Sequence, residues 1–234
     1  MRIGLIQCDG LDPRIVSVAG DYDALYSSLL ARDGLDFVRF RADLGQLPSS
    51  TADCDAWLIG GSRRGVYEDD DWIRDLRRFT GRLLTDDRPL VGVCFGHQMI
   101  GLVLGAPVED VGYTVGAVDY RLHDVPPGET GGAAVEYGDA FTVAAIHRDQ
   151  VLEVPDGATL LATAERTPVA AFTMGPRVLA VQPHPEFGRE VAGTIYRSRA
   201  ERIGQAAADD AIGSLDVALD SDRVADWIIA VARS

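Results

Sequence analysis

The chain has 234 residues, with 22 basic against 36 acidic side chains and a net charge of −14. This length fits a single large domain, and the acidity argues against binding to the phosphate backbone of nucleic acids. Every basic residue is arginine, so the chain lacks the lysine that a P-loop, a Schiff base or a Ser–Lys nucleophile pair requires.

Three cysteines, Cys8, Cys54 and Cys94, form no CxxC pair. This sparse, odd set argues against a disulfide framework and against a zinc ribbon. The first residues resemble a strand rather than a signal peptide, and no stretch reaches the ~20 apolar residues that a membrane helix needs. We therefore expect a cytoplasmic protein without a membrane contact, a metal site or a cofactor.

Short apolar runs alternate with helical patterns in the first hundred residues. This alternation is typical of βαβ units, and it predicts an open, mostly parallel twisted sheet flanked by helices. The predicted strands are residues 2–8, 35–40, 57–59 and 89–93, and the predicted helices are residues 21–33, 72–84 and 96–104.

The pattern changes after residue 105, where short alternating runs are separated by Gly, Pro and Asp. These runs predict a small excursion of antiparallel or mixed strands. Helical spacing returns near residue 189, so we expect a single domain, 1–234, with a helical C-terminal extension over about 188–234. The predicted strands are 115–122, 133–135, 141–145, 169–174 and 178–181, a loop covers 126–132, and the last helices are 189–205 and 221–231.

The segment Gly92-Val93-Cys94-Phe95-Gly96 joins a predicted strand to a predicted helix. It has the pattern of a nucleophile elbow with cysteine in place of serine. The turn lifts the side chain clear of the sheet, and the helix N-terminus behind it favours a thiolate. Cys94 is therefore the candidate nucleophile.

A cysteine nucleophile needs a base, and the chain has four histidines. His97 lies on the outgoing helix, where a side chain three residues past the nucleophile seldom points at the sulfur. His123 lies in a polar segment typical of the surface. His184 follows the predicted strand 178–181, at the sheet edge where parallel-sheet enzymes place functional groups.

Two prolines hold the segment Pro183-His184-Pro185-Glu186 extended, so His184 and Glu186 point to the same side. The pair has the composition of a base with an orienting carboxylate, although an ordinary proline-containing loop remains an alternative. An oxyanion site also needs two donors. The N–H of Phe95 is one, and the glycines of Gly60-Gly61-Ser62 offer a second, unless they form only an ordinary turn.

Taken together, the segments 92–98, 182–187 and 58–62 resemble the class I glutamine amidotransferases in motif, order and spacing. The resemblance covers residues 1 to about 187. It is strongest for the stand-alone branch similar to the GMP synthase glutaminase domain and to plant γ-glutamyl peptidases, which also share features of the segments 20–22 and 67–73.

This resemblance implies a Cys94–His184–Glu186 triad that hydrolyses the γ-amide of glutamine through a cysteinyl thioester. It implies that the N–H groups of Gly61 and Phe95 hold the oxyanion. It also implies that Gln98 contacts the bound glutamine, and that His147 lies in a substrate-side loop.

Two departures from the family pattern add arginine near the expected pocket. The oxyanion loop reads Gly-Gly-Ser-Arg-Arg instead of Gly-Gly-Pro-x-Ser, and Arg148 replaces the glycine of a His-Gly-Asp segment. Arg63, Arg64 and Arg148 either face solvent or recognise a carboxylate or phosphate. The identity of the γ-glutamyl substrate therefore stays open.

Three hypotheses follow. The first is a glutaminase that releases ammonia for a separate acceptor, such as a synthetase subunit, because this chain has no lysine-containing P-loop to activate an acceptor. The second is a γ-glutamyl peptidase or hydrolase acting on another γ-glutamyl compound. The third is a binding subunit without catalysis, which the intact triad argues against.

Overall fold

The computed structural model describes residues 1–32, 34–124 and 139–234. The strands are β1 (Arg2–Gln7), β2 (Asp36–Arg41), β3 (Ala56–Ile59), β4 (Leu90–Val93), β5 (Val108–Leu122), β6 (Ala140–Val151), β7 (Thr159–Ala164), β8 (Thr167–Met174) and β9 (Val178–Val181). The helices are α1 (Pro13–Ala19), α2 (Tyr22–Leu29), α3 (Asp71–Thr85), α4 (Phe95–Val103), α5 (Arg189–Ser198), α6 (Ala200–Ile203), α7 (Gln205–Ser214) and α8 (Ser221–Ala232).

In the described residues the strands form one nine-stranded sheet in the order β2-β1-β3-β4-β9-β8-β7-β5-β6. The pairs from β2 to β9 are parallel, and the pairs from β9 to β6 are antiparallel. The predicted class, an open and mostly parallel sheet with an antiparallel excursion, is confirmed.

Helices cover both faces of the sheet, because its strands alternate side chains between two apolar cores. Leu58 and Leu5 join one core with Trp227 of α8, while Ile59 and Ile6 join the other with Phe79 of α3. The central strands are therefore buried on both faces, as their continuous apolar runs predict. Helices α5, α7 and α8 pack into the first core, and whether residues 188–234 form a separate extension stays a prediction.

Several local predictions were wrong. Helix α1 was not predicted; it forms because Asp12 caps its first turn and proline is tolerated there. Strand β7 was not predicted, β6 continues to Val151, and the helix predicted over 189–205 is divided into α5 and α6, with α7 following. The predicted strand 133–135 and loop 126–132 lie outside the described residues.

Strand order explains how distant parts of the chain meet. β4 lies between β3 and β9, and all three run parallel. Their carboxyl ends therefore share one sheet edge, which receives the segments after Ile59, Val93 and Val181. This edge is where an open α/β sheet places a ligand site.

Candidate active site

Cys94 occupies a strained turn between β4 and α4. Its φ of 52° and ψ of −101° are rare for a residue with a side chain. Such a conformation costs about 1–3 kcal/mol and persists only where its surroundings enforce it. The turn fits because Gly96 packs its Cα against the carbonyl of Ile59 in β3, where a Cβ would clash. The elbow predicted from the sequence is present, with Cys94 at its apex.

His184 is positioned by backbone hydrogen bonds at the end of β9. Its N–H donates to the carbonyl oxygen of Ala144 in β6 at 2.9 Å, and the N–H of Cys94 donates to Val181 at 2.9 Å. The side chains of His184 and Glu186 are both buried, and the imidazole Nδ1 lies 2.7 Å from Glu186 Oε1. The proline-held segment therefore forms the pair that its spacing predicts.

Charge in this buried cluster favours the protonated imidazole. Burial alone would lower the pKa of His184, but the Glu186 carboxylate and then Cys94 outweigh it and raise the pKa. Cys94 therefore lies close enough to the imidazole to act on its charge. The raised pKa keeps His184 protonated beside Cys94 at neutral pH.

Two residues that support this pair were not identified from the sequence. The Tyr26 hydroxyl of α2 donates to Glu186 Oε1 at 2.9 Å, and burial raises its pKa, so it stays protonated. The Phe187 ring stacks on the imidazole of His184, with the ring centroids 4.4 Å apart. Tyr26 shares helical spacing with the apolar stripe of α2, so its sequence pattern matches that of a core residue.

Two backbone N–H groups are available beside Cys94. Neither the N–H of Phe95, in the first turn of α4, nor that of Gly61, after β3, donates a hydrogen bond within the described parts of the chain. A Cβ on Gly61 would lie 2.9 Å from Cε1 of His184, so glycine permits this close approach. One candidate donor thus follows Cys94 directly in the chain, and the other lies against the imidazole of His184.

A narrow cavity of about 70 Å³ opens at Cys94. Gln98, His147 and Asp149 line it together with the sulfur. The Gln98 carboxamide nitrogen donates to the carbonyl of Asp149 at 2.7 Å and to Gln182 Oε1 at 3.2 Å, so the protein holds it in place. Gln98 and His147, which the resemblance assigns to the substrate side, therefore both line the cavity at Cys94.

The prediction that His147 lies in a loop was wrong. His147 lies inside β6, and burial, followed by the nearby His184, lowers its pKa to about 3. The polar run His147-Arg148-Asp149 interrupts apolar alternation in the sequence, but β6 passes beneath the site and buries His147 and Asp149. Its neutral ring is a hydrogen-bonding group rather than a charge.

The other two histidines are not placed to act on Cys94. The His97 ring faces Phe172, with centroids 5.2 Å apart, and burial lowers its pKa to about 3. His123 is exposed and its Nε2 lies 3.0 Å from Thr163 Oγ1. This leaves His184 as the candidate base.

Arginines surround the mouth of the cavity. A second cavity of about 540 Å³ adjoins the first and shares part of its lining. The arginines lining the cavity at Cys94 are Arg63, Arg64, Arg148, Arg199 and Arg202.

Among the described residues, no three histidine, cysteine or carboxylate side chains are arranged to hold a metal ion.

Comparison with known families identifies the family of the chain. A family model described as glutamine amidotransferase class-I matches residues 27–199, well over half of the chain. The chain belongs to the class I glutamine amidotransferase family. The resemblance found in the sequence motifs is thereby confirmed.

Two relatives show the kinds of enzyme to which this class I glutamine amidotransferase is similar in sequence. It is 30% identical over 181 residues to γ-glutamyl peptidase 5 of Arabidopsis thaliana, covering 74% of this chain and 70% of that protein. It is 36% identical over 117 residues to the glutamine-hydrolysing GMP synthase of Aeropyrum pernix, covering 44% of this chain and 20% of that protein.

The fold has close counterparts among solved structures. A glutamine amidotransferase from Thermotoga maritima superposes with a TM-score of 0.75 at 17% identity, over 99% of this chain and 96% of that one. In the portions of the chain that the structure describes, no helix combines the length and apolarity needed to cross a bilayer.

Proposed function

We propose that this chain hydrolyses the γ-amide bond of a γ-glutamyl compound through a thioester on Cys94, with glutamine as the simplest substrate. The observation that carries the proposal is the buried His184–Glu186 pair beside a strained cysteine at a sheet edge. The same pair argues against a binding subunit without catalysis, because a buried charged pair is costly to maintain.

In the first half of the reaction, the Cys94 thiolate attacks the γ-carbonyl carbon, and the carbonyl oxygen gains negative charge. The N–H groups of Phe95 and Gly61 are the proposed donors to that oxygen. The imidazolium of His184 then gives its proton to the leaving nitrogen, the C–N bond breaks, and ammonia or an amine departs. A γ-glutamyl thioester remains on the enzyme.

In the second half, neutral His184 takes a proton from water, which attacks the thioester carbonyl. The C–S bond breaks, glutamate leaves, and the thiolate–imidazolium pair is restored. Glu186 orients the imidazole and stabilises its charge, which makes it a positioning residue for both proton transfers.

The cavity has groups that suit the amino-acid head of such a substrate. The Asp149 carboxylate lies at the cavity, accepts a hydrogen bond from the Tyr67 hydroxyl at 3.1 Å, and is an acceptor for an α-ammonium group. Gln98 and His147 are proposed to contact the substrate through their polar atoms, because both line the cavity beside the sulfur.

The second candidate is a γ-glutamyl peptidase. Similarity to γ-glutamyl peptidase 5 over 74% of the chain and the basic mouth of the cavity favour it. In the first candidate, released ammonia would pass to a separate acceptor, such as a synthetase subunit.

A cytoplasmic location is part of both proposals, and three cysteines free of disulfides are compatible with it.

The test is a substrate panel of glutamine, γ-glutamylglycine and γ-glutamylethylamide, with glutamate release measured for each. The proposal predicts turnover of at least one compound by the intact chain and none by Cys94→Ala. Faster turnover of glutamine than of every other compound supports the glutaminase. Faster turnover of the peptide supports the peptidase, and an intact chain inert to all three contradicts the proposed function.

A further inference from the structure

The arginines at the mouth of the cavity differ in their partners. Arg63 makes a bidentate pair with Asp9, with distances of 2.6 Å and 2.7 Å, and its backbone N–H donates to the same carboxylate. Arg64 pairs with Glu68 at 2.8 Å and with Asp70 at 2.9 Å. The charges of these two loop arginines are therefore already matched by the protein.

Arg148 is more loosely engaged. Its guanidinium lies 3.6 Å from Asp110 and 3.5 Å from Asp149, beyond good hydrogen-bond distance. Its partner Asp149 is the carboxylate proposed for the substrate's ammonium group. Arg148 is thus better suited to balancing that carboxylate than to binding a ligand alone.

Arg199 and Arg202 differ from these three arginines. Within the described residues, neither side chain forms an ion pair or a hydrogen bond, although the chain carries 36 acidic residues. Both line the cavity at Cys94, and Arg202 also lines the larger adjoining cavity. Two guanidinium groups without an acidic partner among the described residues therefore line the same cavity as the candidate nucleophile.

The backbone presents these two side chains together. Arg199 ends α5 and precedes α6, and the N–H of Arg202 donates to the carbonyl of Arg199 at 2.9 Å. Residues three apart in a helical turn lie on one face. Helix α5 is fixed below them, because the buried Tyr196 donates to the carbonyl of Ala145 in β6 at 2.9 Å.

We propose that Arg199 and Arg202 form a carboxylate-binding subsite on the leaving-group side of Cys94. The substrate class is then a γ-glutamyl compound whose departing amine carries a carboxylate, as in γ-glutamyl amino acids and peptides. Guanidinium groups bind carboxylates through paired charge-assisted hydrogen bonds, and the basic mouth attracts an anion to an otherwise acidic protein. This inference rests on the proposed function for the placement of the γ-glutamyl group.

The test compares γ-glutamylglycine with γ-glutamylglycinamide, which differ only in the terminal carboxylate. Calorimetry measures equilibrium binding of both compounds to two inactive proteins. One carries Cys94→Ala alone, and the other carries Cys94→Ala together with Arg199→Gln and Arg202→Gln. We expect about 10-fold or greater preference for the acid with both arginines present, and less than about 3-fold without them. The preference should also weaken as salt rises, because the subsite is partly exposed.

Arg197→Gln is the matched control, since Arg197 is an exposed arginine of α5 that contacts Thr194. It should keep the full preference. Equal binding of acid and amide by the intact subsite would overturn the proposal, as would a preference that survives in the double variant. Failure of the proposed function is a separate result, seen as absent turnover in the chain that retains Cys94.

Discussion

The floor and the rim of the site are built by different means. The floor consists of Cys94, His184 and Glu186, which are all buried. Backbone hydrogen bonds hold Cys94 and His184 at strand ends, and the Glu186 side chain is held by His184 and Tyr26. The rim consists of arginines whose guanidinium groups reach solvent, and only some of them have acidic partners in the described part of the chain. In the proposed reaction the floor carries the bond-breaking chemistry, whereas the pairing of each rim charge determines whether it is available to a ligand.

The largest effect is expected at the apex of the floor. Cys94→Ala removes the nucleophile and should lower kcat/KM for glutamate release at least about 10⁴-fold. Cys8→Ser is the control, because the buried Cys8 thiol lies at the adjoining cavity and burial raises its pKa. Loss of activity in Cys8→Ser comparable to that in Cys94→Ala would contradict the assignment of the nucleophile.

Glu186→Gln should lower kcat about 10²- to 10³-fold, because the imidazole loses its orienting carboxylate. Since Glu186 helps to raise the pKa of His184, its removal should lower that pKa. The alkaline limb of the kcat/KM profile should then move to lower pH. An unchanged alkaline limb would show that Glu186 does not act on His184.

His97 is a buried histidine of α4 outside the floor, and it should affect stability rather than rate. The pKa of His97 falls to about 3 in the folded chain, against ~6.5 when unfolded. Between these pH values only the unfolded chain binds the proton, so the free energy of unfolding falls as pH falls, by up to about 1.4 kcal/mol per pH unit. Above pH ~6.5 the contribution is complete.

Urea unfolding of His97→Gln at several pH values checks this. The variant should lose less stability than the parent chain between pH 6 and pH 4, whatever its stability at neutral pH. Parallel curves for the two proteins would refute the assignment of a neutral, buried His97.

A smaller effect on kcat is expected at Tyr26, which contacts the floor without being part of it. Tyr26→Phe removes one hydrogen bond to Glu186 and should lower kcat about 5- to 10-fold with little change in KM. Tyr120→Phe is the control, since the buried Tyr120 hydroxyl has no partner within the described residues. A change in KM alone would argue for a substrate contact instead of a positioning role.

The smallest effect is expected at the paired part of the rim. Arg64 is matched by Glu68 and Asp70 and is exposed, so Arg64→Gln should change kcat/KM less than about 3-fold. Steady-state kinetics with γ-glutamylglycine measure this. A change above 10-fold would remove the distinction between paired and unpaired rim charges.

The sequence predicted the floor because its signals are local. The glycines around Cys94 and the prolines around His184 each determine backbone geometry within a few residues. The parallel strands then bring these segments to one sheet edge. The Tyr26–Glu186 contact was not predictable in this way, since it joins residues 160 positions apart.

The rim was predicted only in part. Arg63 and Arg64 were recognised because they interrupt a motif, but their acidic partners depend on how Asp9 and Glu68 fold beside them. Arg199 and Arg202 have the pattern of charges on a helix surface, and nothing in the sequence indicates that α6 lies over the cavity. The continuation of β6 through His147 was missed because its polar residues interrupt the apolar alternation.

The central claim is that Cys94 is the residue that carries the γ-glutamyl group. A glutamine analogue with an electrophilic chloroketone in place of the amide tests it, with the label located by mass spectrometry of peptides. We predict stoichiometric labelling of Cys94 that saturating substrate prevents and Cys94→Ala abolishes. Labelling of Cys8 or Cys54 instead, or no labelling of a chain that turns over substrate, would contradict the account.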